Sequence, residues 1–427
     1  MKLAQFLTAA IGLSLSFQAA QAGDWPQWRG PDRSGISKEK GLLQEWPKEG
    51  PHLNWQVKDL GEGYSTPSIV GDRLYVITNQ GRKEESVLAL NVKDGQKIWS
   101  QPIGKVGKNY GMDYPGARST PTVDGDSIYA LGSDGDLACL DAAKGEVRWH
   151  KSLRNDFDGT PGMWAYAESP LIDGDTLVCT PGGKTATLVA LDKKSGNVIW
   201  KSPVEGADQA AYASVIIVTT GGVKQYVQFL AKGLVGVDAQ TGKFLWRYDK
   251  TSKSPANIPT AVAYQNYIYS ASGRGGCGVV ELKAKDQTIE ADPVYFSMKL
   301  PNAIGGSVEV GGFLYGTSAG GLQCVDFITG KQKWQSRGVG TGSIVYADKR
   351  LYVHAEKDGE VVLVDCAADG YHEHGRFSPP DPPKRHKGLA WSYPAIADGR
   401  LYIYDYGTLW CYDVKGKTAA AETRVTR

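Results

Sequence analysis

Ala190-Leu191-Asp192-Lys193-Lys194-Ser195-Gly196-Asn197-Val198-Ile199-Trp200 is one copy of a phrase that the chain repeats. Four other segments share it: Ala89 through Asn91 and Gly95 to Trp99, Cys139 through Asp141 and Gly145 to Trp149, Gly236 through Asp238 and Gly242 to Trp246, and Cys324 through Asp326 and Gly330 to Trp334. In each, a short apolar strand ends at Asp or Asn, a turn closes on Gly, and Trp follows four residues later. The acidic or amide side chain can cap the turn, and glycine supplies the positive φ that a tight hairpin requires. The first four tryptophans stand 50, 51 and 46 residues apart, the period of a stacked repeat unit.

A second phrase precedes the first in each unit. It runs Thr66-Pro67 to Tyr75, Thr120-Pro121 to Tyr129, Ser169-Pro170 to Val178, Thr260 to Tyr269, Ser307 to Tyr315, Ser343 to Tyr352 and Tyr393-Pro394 to Tyr402. It reads as strand, Gly-Asp-type turn, strand. Joined, the two phrases make a four-stranded antiparallel meander, the size of one propeller blade. Two units lack the tryptophan: one reads Val294-Tyr295-Phe296 and the other Phe377. Opening strands near residues 66, 120, 169, 214, 260, 307, 343 and 393 number eight. The eighth unit ends after Trp410-Cys411-Tyr412-Asp413 without an outer strand, while Leu53-Asn54-Trp55-Gln56-Val57 stands unassigned ahead of the first. Pairing the two removes both loose edges. The expectation is an all-β, eight-bladed propeller of four-stranded antiparallel blades, closed by an N-terminal strand.

Composition agrees. Glycine supplies 53 of 427 residues, about 12% against a usual ~7%, as a turn-rich β fold requires. Lys and Arg total 48 against 46 acidic residues, a net charge of +2 with no basic stripe, so the electrostatic footprint of a nucleic-acid partner is missing. Residues 1–22 read as a signal peptide: Lys2 is the positive start, Phe6 to Phe17 the apolar run, and Ala20-Gln21-Ala22 the cleavage site. No later stretch is long and apolar enough for a transmembrane helix, and the first cysteine, Cys139, is too far on to take a lipid anchor. The expected organisation is 1–22 signal peptide, 23–52 a segment packing on the propeller, 53–416 the propeller, and 417–427 a polar tail. The expected location is periplasmic or secreted, after cleavage near Ala22. Cys139, Cys179, Cys277, Cys324, Cys366 and Cys411 form no C-x-x-C or vicinal pair, and a chain of this length does not need disulfides. Buried free thiols are expected.

These phrases resemble the PQQ-like repeat family, the quinoprotein alcohol dehydrogenase-like eight-bladed propellers. The family phrase Ala-x-Asp-x-x-x-Gly-x-x-x-Trp matches Ala190 to Trp200 outright and the other four segments with one or two changes. Asp24-Trp25-Pro26-Gln27-Trp28-Arg29-Gly30-Pro31 also resembles the start of secreted members. The resemblance covers roughly residues 24 to 416 and implies that each tryptophan packs between neighbouring blades. It implies fold more than function, since propellers host unrelated activities.

Aligned blades place two columns at the channel mouth. One holds Tyr64, Arg118, Ala167, Ala211, Ile258, Ile304, Thr341 and Trp391; the next holds Ser65, Ser119, Glu168, Tyr212, Pro259, Gly305, Gly342 and Ser392. Such a funnel suits a flat polar ligand, held by stacking and ion pairing, although Arg118 and Glu168 could equally pair with each other. The family's enzymes imply a second reading, PQQ with Ca2+, in which Glu168 and Asn257 have the chemistry of metal ligands. Against it, the vicinal cysteines of those enzymes and a Cys-x-x-Cys-His haem motif are both absent. Asn155-Asp156-Phe157-Asp158-Gly159 lacks the spacing of a calcium loop and reads as a capped turn. His372 and His374, with His386 beyond, fall in a proline-rich stretch and read as loop histidines. The reading is a non-catalytic binding or scaffolding module of the cell envelope, with no cofactor, whose partner is an envelope protein or a small polar ligand. The alternative is a PQQ-dependent quinoprotein dehydrogenase oxidising an alcohol or sugar.

Overall fold

The computed structural model describes residues 23–108, 116–206, 208–253, 255–286, 288–385 and 389–416. The signal-peptide stretch, the polar tail and His386 lie outside these residues. Eight sheets, each built on four antiparallel strands and one of them extended by a fifth, parallel strand, make an eight-bladed propeller. Blades 1 to 4 begin with the inner strands Ser68–Val70, Thr122–Asp124, Leu171–Asp173 and Ile216–Thr220, and blades 5 to 8 with Val262–Tyr264, Ser307–Val310, Gly342–Ala347 and Ala395–Ala397. The eighth blade takes its outer strand from the other end of the chain. His52–Val57 pairs antiparallel with Thr408–Asp413, Trp55 opposite Cys411 and Val57 opposite Leu409. The ring is therefore closed by an N-terminal strand.

The repeated phrase has a mechanical reading. In blade 3, Asp192 Oδ1 accepts from the Ser195 amide at 2.8 Å and from the Ser195 hydroxyl at 2.7 Å, which closes the turn after Leu188–Asp192. Gly196 then adopts φ 71°, and a Cβ there would lie 3.0 Å from the Trp149 ring of blade 2. Glycine serves twice, for its backbone geometry and for the indole laid across it. The same contact joins Trp55 to Gly95, Trp99 to Gly145, Trp200 to Gly242 and, where tryptophan is missing, Tyr295 to Gly330. Trp55, Trp149, Trp200 and Trp334 also donate their indole N–H to a carbonyl of the next blade, at 2.8–3.2 Å, and the Tyr295 hydroxyl reaches the Phe327 carbonyl at 3.1 Å. Six of the eight blades, 8, 1, 2, 3, 5 and 6, are thus latched to their successors.

Trp246 departs from the pattern. Its indole bonds Gln225 Oε1 of its own blade at 2.6 Å. Blade 5, the next one, carries the long outer hairpin Gly276–Lys285 and Thr288–Ser297, with Asp286 rather than glycine at the positive-φ position. No glycine is there to receive the ring. His372 lies in a loop as expected, but His374 differs from expectation. His374 belongs to the outer strand Glu373–Phe377 of blade 7, where its Nε2 lies 3.0 Å from Asp365, because that strand begins ahead of the prolines. The Asn155 stretch is capped but helical rather than a turn: Ser152 caps the short helix Leu153–Phe157 by accepting from the Asn155 amide at 3.2 Å, and Asp158 ends it at φ 49°. All six cysteines are free, and all except the half-buried Cys366 are buried.

Residues 24–37 run through the ring's centre. Trp25 bridges to Ile69 of blade 1, and the Pro26 carbonyl accepts from the Val123 amide of blade 2 at 2.8 Å. Arg33 donates to the carbonyls of Ser169 (2.8 Å) and Pro170 (3.1 Å) at blade 3. Arg29 donates to the Ser307 carbonyl of blade 6 and to the Ser34 carbonyl at 2.8 Å. Ile36–Ser37 then adds a parallel strand to Gly342–Ala347 of blade 7. Both arginines are buried, at 1% and 5% exposure, so the segment closes the channel from within.

Candidate functional site

Above this segment, at the mouth where loops lead into the inner strands, lies a cavity of about 280 Å³. Its base is Trp28 of the N-terminal segment with Tyr393 of blade 8, ring centroids 4.7 Å apart and nearly perpendicular. One wall is Tyr64 with Trp391, 5.1 Å apart; another is Trp164 with Tyr212, 5.5 Å apart. Arg118 and Arg274 are the charged residues of the lining, and Ala167, Ile258 and Ile304 fill the remaining wall.

The rings are fixed by their polar ends. Trp28 Nε1 donates to Thr260 Oγ1 at 3.1 Å, Trp391 Nε1 to Glu356 Oε1 at 2.7 Å, and the Tyr393 hydroxyl to the Ile304 carbonyl at 3.2 Å. The Tyr212 hydroxyl accepts from the Trp164 amide at 3.1 Å. With their N–H and O–H groups so engaged, these side chains present faces to the cavity. Tyr64 also neighbours Tyr406 at 5.8 Å. Tyr406 belongs to a polar groove of about 770 Å³ between blades 8 and 1, with Lys58, Glu62, Asp381 and Lys384 among its walls.

Of the six residues singled out in the sequence, Tyr64, Arg118, Tyr212 and Trp391 meet around the cavity. Glu168 and Asn257 do not. Glu168 is 3% exposed and lies deeper, where Oε1 accepts from the Thr180 amide at 2.7 Å and Oε2 from Gln228 Nε2 at 2.8 Å. Burial lifts its carboxyl to about 7, against the opposing pull of those hydrogen bonds and the Arg33 charge. Burial lowers Arg33 to about 10. Arg118 is also lowered by desolvation, and among the described residues the carboxylate acting on it is Glu85, itself lifted to about 7 by burial while accepting from the Ser133 amide and hydroxyl at 2.6 Å. The structure thus sets Arg118 against Glu85 and Glu168 against Arg33. Asn257 is consumed by backbone: Nδ2 donates to the Leu230 and Ala231 carbonyls at 2.8 and 3.0 Å, and Oδ1 accepts from the Lys253 amide at 2.9 Å. A calcium ion would need these two oxygen donors turned together toward one point. They are engaged elsewhere and outside the cavity, so they do not fit a quinone–calcium pair. Among the described residues no three His, Cys, Asp or Glu side chains converge as metal ligands.

Sequence reasoning missed Trp28, Trp164, Arg274 and Tyr393. Trp28 and Trp164 lie in connections without a repeat register, and the second-strand alignment placed Tyr393 one position below the two columns.

Residues 83–336, more than half the chain, match the family model described as outer membrane protein assembly factor BamB. The chain belongs to this PQQ-like repeat family. It is similar to the outer membrane protein assembly factor BamB of Shewanella oneidensis, 26% identical over 241 residues, 55% of this chain and 54% of that protein. The chain therefore spans about half the length of that curated relative. Its fold is like that of BamB from Moraxella catarrhalis, with TM-score 0.58 and 16% identity over 85% of this chain and 97% of that one. It is also like that of a quinohemoprotein alcohol dehydrogenase from Pseudomonas putida HK5, with TM-score 0.61 and 14% identity over 93% of this chain and 81% of that one. At those identities the PQQ-like repeat family contributes architecture, and the site must speak for its own chemistry.

Proposed function

We propose that the protein is a non-catalytic binding module of the cell envelope that holds a ligand at its channel mouth. The observation that carries this reading is the cavity itself: six aromatic rings, four of them fixed by hydrogen bonds through their polar groups or neighbours, and two arginines. Its lining holds no carboxylate or imidazole among the described residues, so it offers binding surface without a group suited to take a proton near neutral pH. The envelope setting is supported by relatives named as outer membrane assembly factors and by the signal-like first 22 residues. On this reading the protein is periplasmic or secreted, and its partner is an envelope protein or a small polar ligand.

The test is a dye-linked oxidation assay over primary alcohols, polyols and aldoses, with and without PQQ and calcium. The expected outcome is no dye reduction above the protein-free control. Reduction that depends on both additions and is abolished by Glu168→Gln would make the protein a quinoprotein dehydrogenase instead.

A further inference from the structure

We propose that the mouth binds an acidic oligosaccharide, with a uronic acid ring in the aromatic cavity and the next, neutral sugar in the groove beside Tyr406. This deepens the binding-module reading and rests on it. Three observations converge.

The first is shape. Neighbouring rings around the cavity are inclined at 41° to 70°. Each pair of rings is therefore a faceted, bowl-like wall rather than a flat plate. A bowl suits a puckered pyranose, whose C–H groups on both faces pack against aromatic faces. A planar ligand sandwiched between rings would need them parallel. The rings are also pre-set. Trp28 and Trp391 are fixed through their indole N–H groups and Tyr393 through its hydroxyl, so little ordering is left for binding to drive.

The second is charge. Arg118 stands half-buried in the wall, where desolvation opposes its charge. Arg274 is exposed at the rim and, among the described residues, makes no hydrogen bond or ion pair. With no carboxylate among the described residues of the lining, the Arg274 guanidinium favours an anionic ligand, and an arginine can grip a carboxylate in bidentate fashion.

The third is continuity. Tyr64 lines the cavity and Tyr406 lines the groove, and their rings lie 5.8 Å apart. Chemistry changes across that junction, from aromatic faces with arginines to a polar surface with both signs of charge, including Glu62 and the Lys58–Asp381 pair at 2.9 Å. Carboxylates, amines and a threonine hydroxyl suit the hydroxyls of a neutral sugar. They would leave a second purely aromatic unit without a stacking wall.

The test is calorimetric titration of the full-length protein with three probes: cellobiouronic acid, its neutral counterpart cellobiose, and free glucuronic acid. We expect saturable binding of cellobiouronic acid. Cellobiose should bind at least about tenfold more weakly, the worth of one charge-assisted hydrogen bond, and free glucuronic acid should also bind more weakly. Arg274→Gln, an exposed change that should leave folding intact, is expected to narrow the gap between acid and neutral disaccharide. Tyr406→Ala is expected to reduce cellobiouronic acid to the affinity of free glucuronic acid without weakening the latter. Each variant's thermal midpoint is measured alongside. Absence of cellobiouronic acid binding, or equal binding of acid and neutral disaccharides, would overturn the proposal. So would tighter binding of a flat aromatic acid such as 2-naphthoate. PQQ- and calcium-dependent dye reduction would instead overturn the binding-module reading beneath it, so the two failures are distinguishable.

Discussion

Glu168 shows how a charge that looks functional in the sequence can be structural in the molecule. It stands in the second of the two mouth columns, but the backbone turns it under the aromatic layer, against Thr180, Gln228 and the Arg33 charge. Its carboxyl is lifted to about 7, from an ordinary value of 4.5, chiefly by burial. A raised acid holds its proton in the folded state across a range where the unfolded chain has lost it. Its contribution to stability is therefore complete below about 4.5 and disappears as pH rises through about 7. Glu85 has the same sign in the same window, while buried His354, whose affinity for a proton is lowered, has the opposite sign. The difference between native protein and Glu168→Gln isolates the one group. The variant should lose stability less steeply than the native protein between pH 5 and about 7.5, measured by denaturant titration. Parallel curves would show that Glu168 is ionised throughout the range. Residue identity and rough height on the blade were legible in the sequence; the direction of this side chain was not. That direction depends on a segment more than a hundred residues away supplying Arg33.

At the scale of elements, the sequence was most legible where one side chain serves the same contact in blade after blade. Asp192 closes its turn, Gly196 accepts the preceding indole, and Trp200 covers Gly242 of the next blade. The spacing of the phrase records an interface between blades as well as a hairpin. Trp200 is 9% exposed, bonds the Ala239 carbonyl at 3.2 Å, and sits in a cluster with Tyr226, Val235 and Val237. Trp200→Ala should cost about 3–5 kcal/mol in a denaturant titration, the range for removing a large ring from a packed site. Ile199→Ala, at 52% exposure on the same strand, should change stability by less than about 0.5 kcal/mol. Equal, small losses at both positions would sever the link between the phrase and the latch. Blade 5 shows the limit of such reading. Tyr295 takes over the latch to Gly330 with a different side chain, and Trp246 keeps its place in the phrase while turning inward. A pattern shows that a ring is present; the neighbour decides where it packs.

The whole molecule is a ring whose closure and channel both depend on residues ahead of the first blade. His52–Val57 supplies the missing strand of blade 8, covering an edge formed by Thr408–Asp413. Residues 24–37 join blades 1, 2, 3, 6 and 7 through backbone and guanidinium contacts and place Trp28 beneath the cavity. The strand was legible because the eighth unit visibly lacked one. The course of the segment was not, because a single irregular strand inside a channel leaves no periodicity. Its consequence is cooperative. In a linear array each blade would be held only by its neighbours and the terminal ones would fray; closure gives every blade two neighbours and leaves no end. Deleting residues 23–58 removes strand and segment together, strips the pairing partner from Thr408–Asp413, and exposes a long unpaired edge. The expected result is a broad, early thermal transition by circular dichroism, with concentration-dependent association. A deletion variant melting as sharply and as high as the intact chain would mean that the blades cohere through their tryptophan latches alone, and that the ring does not need its closing strand.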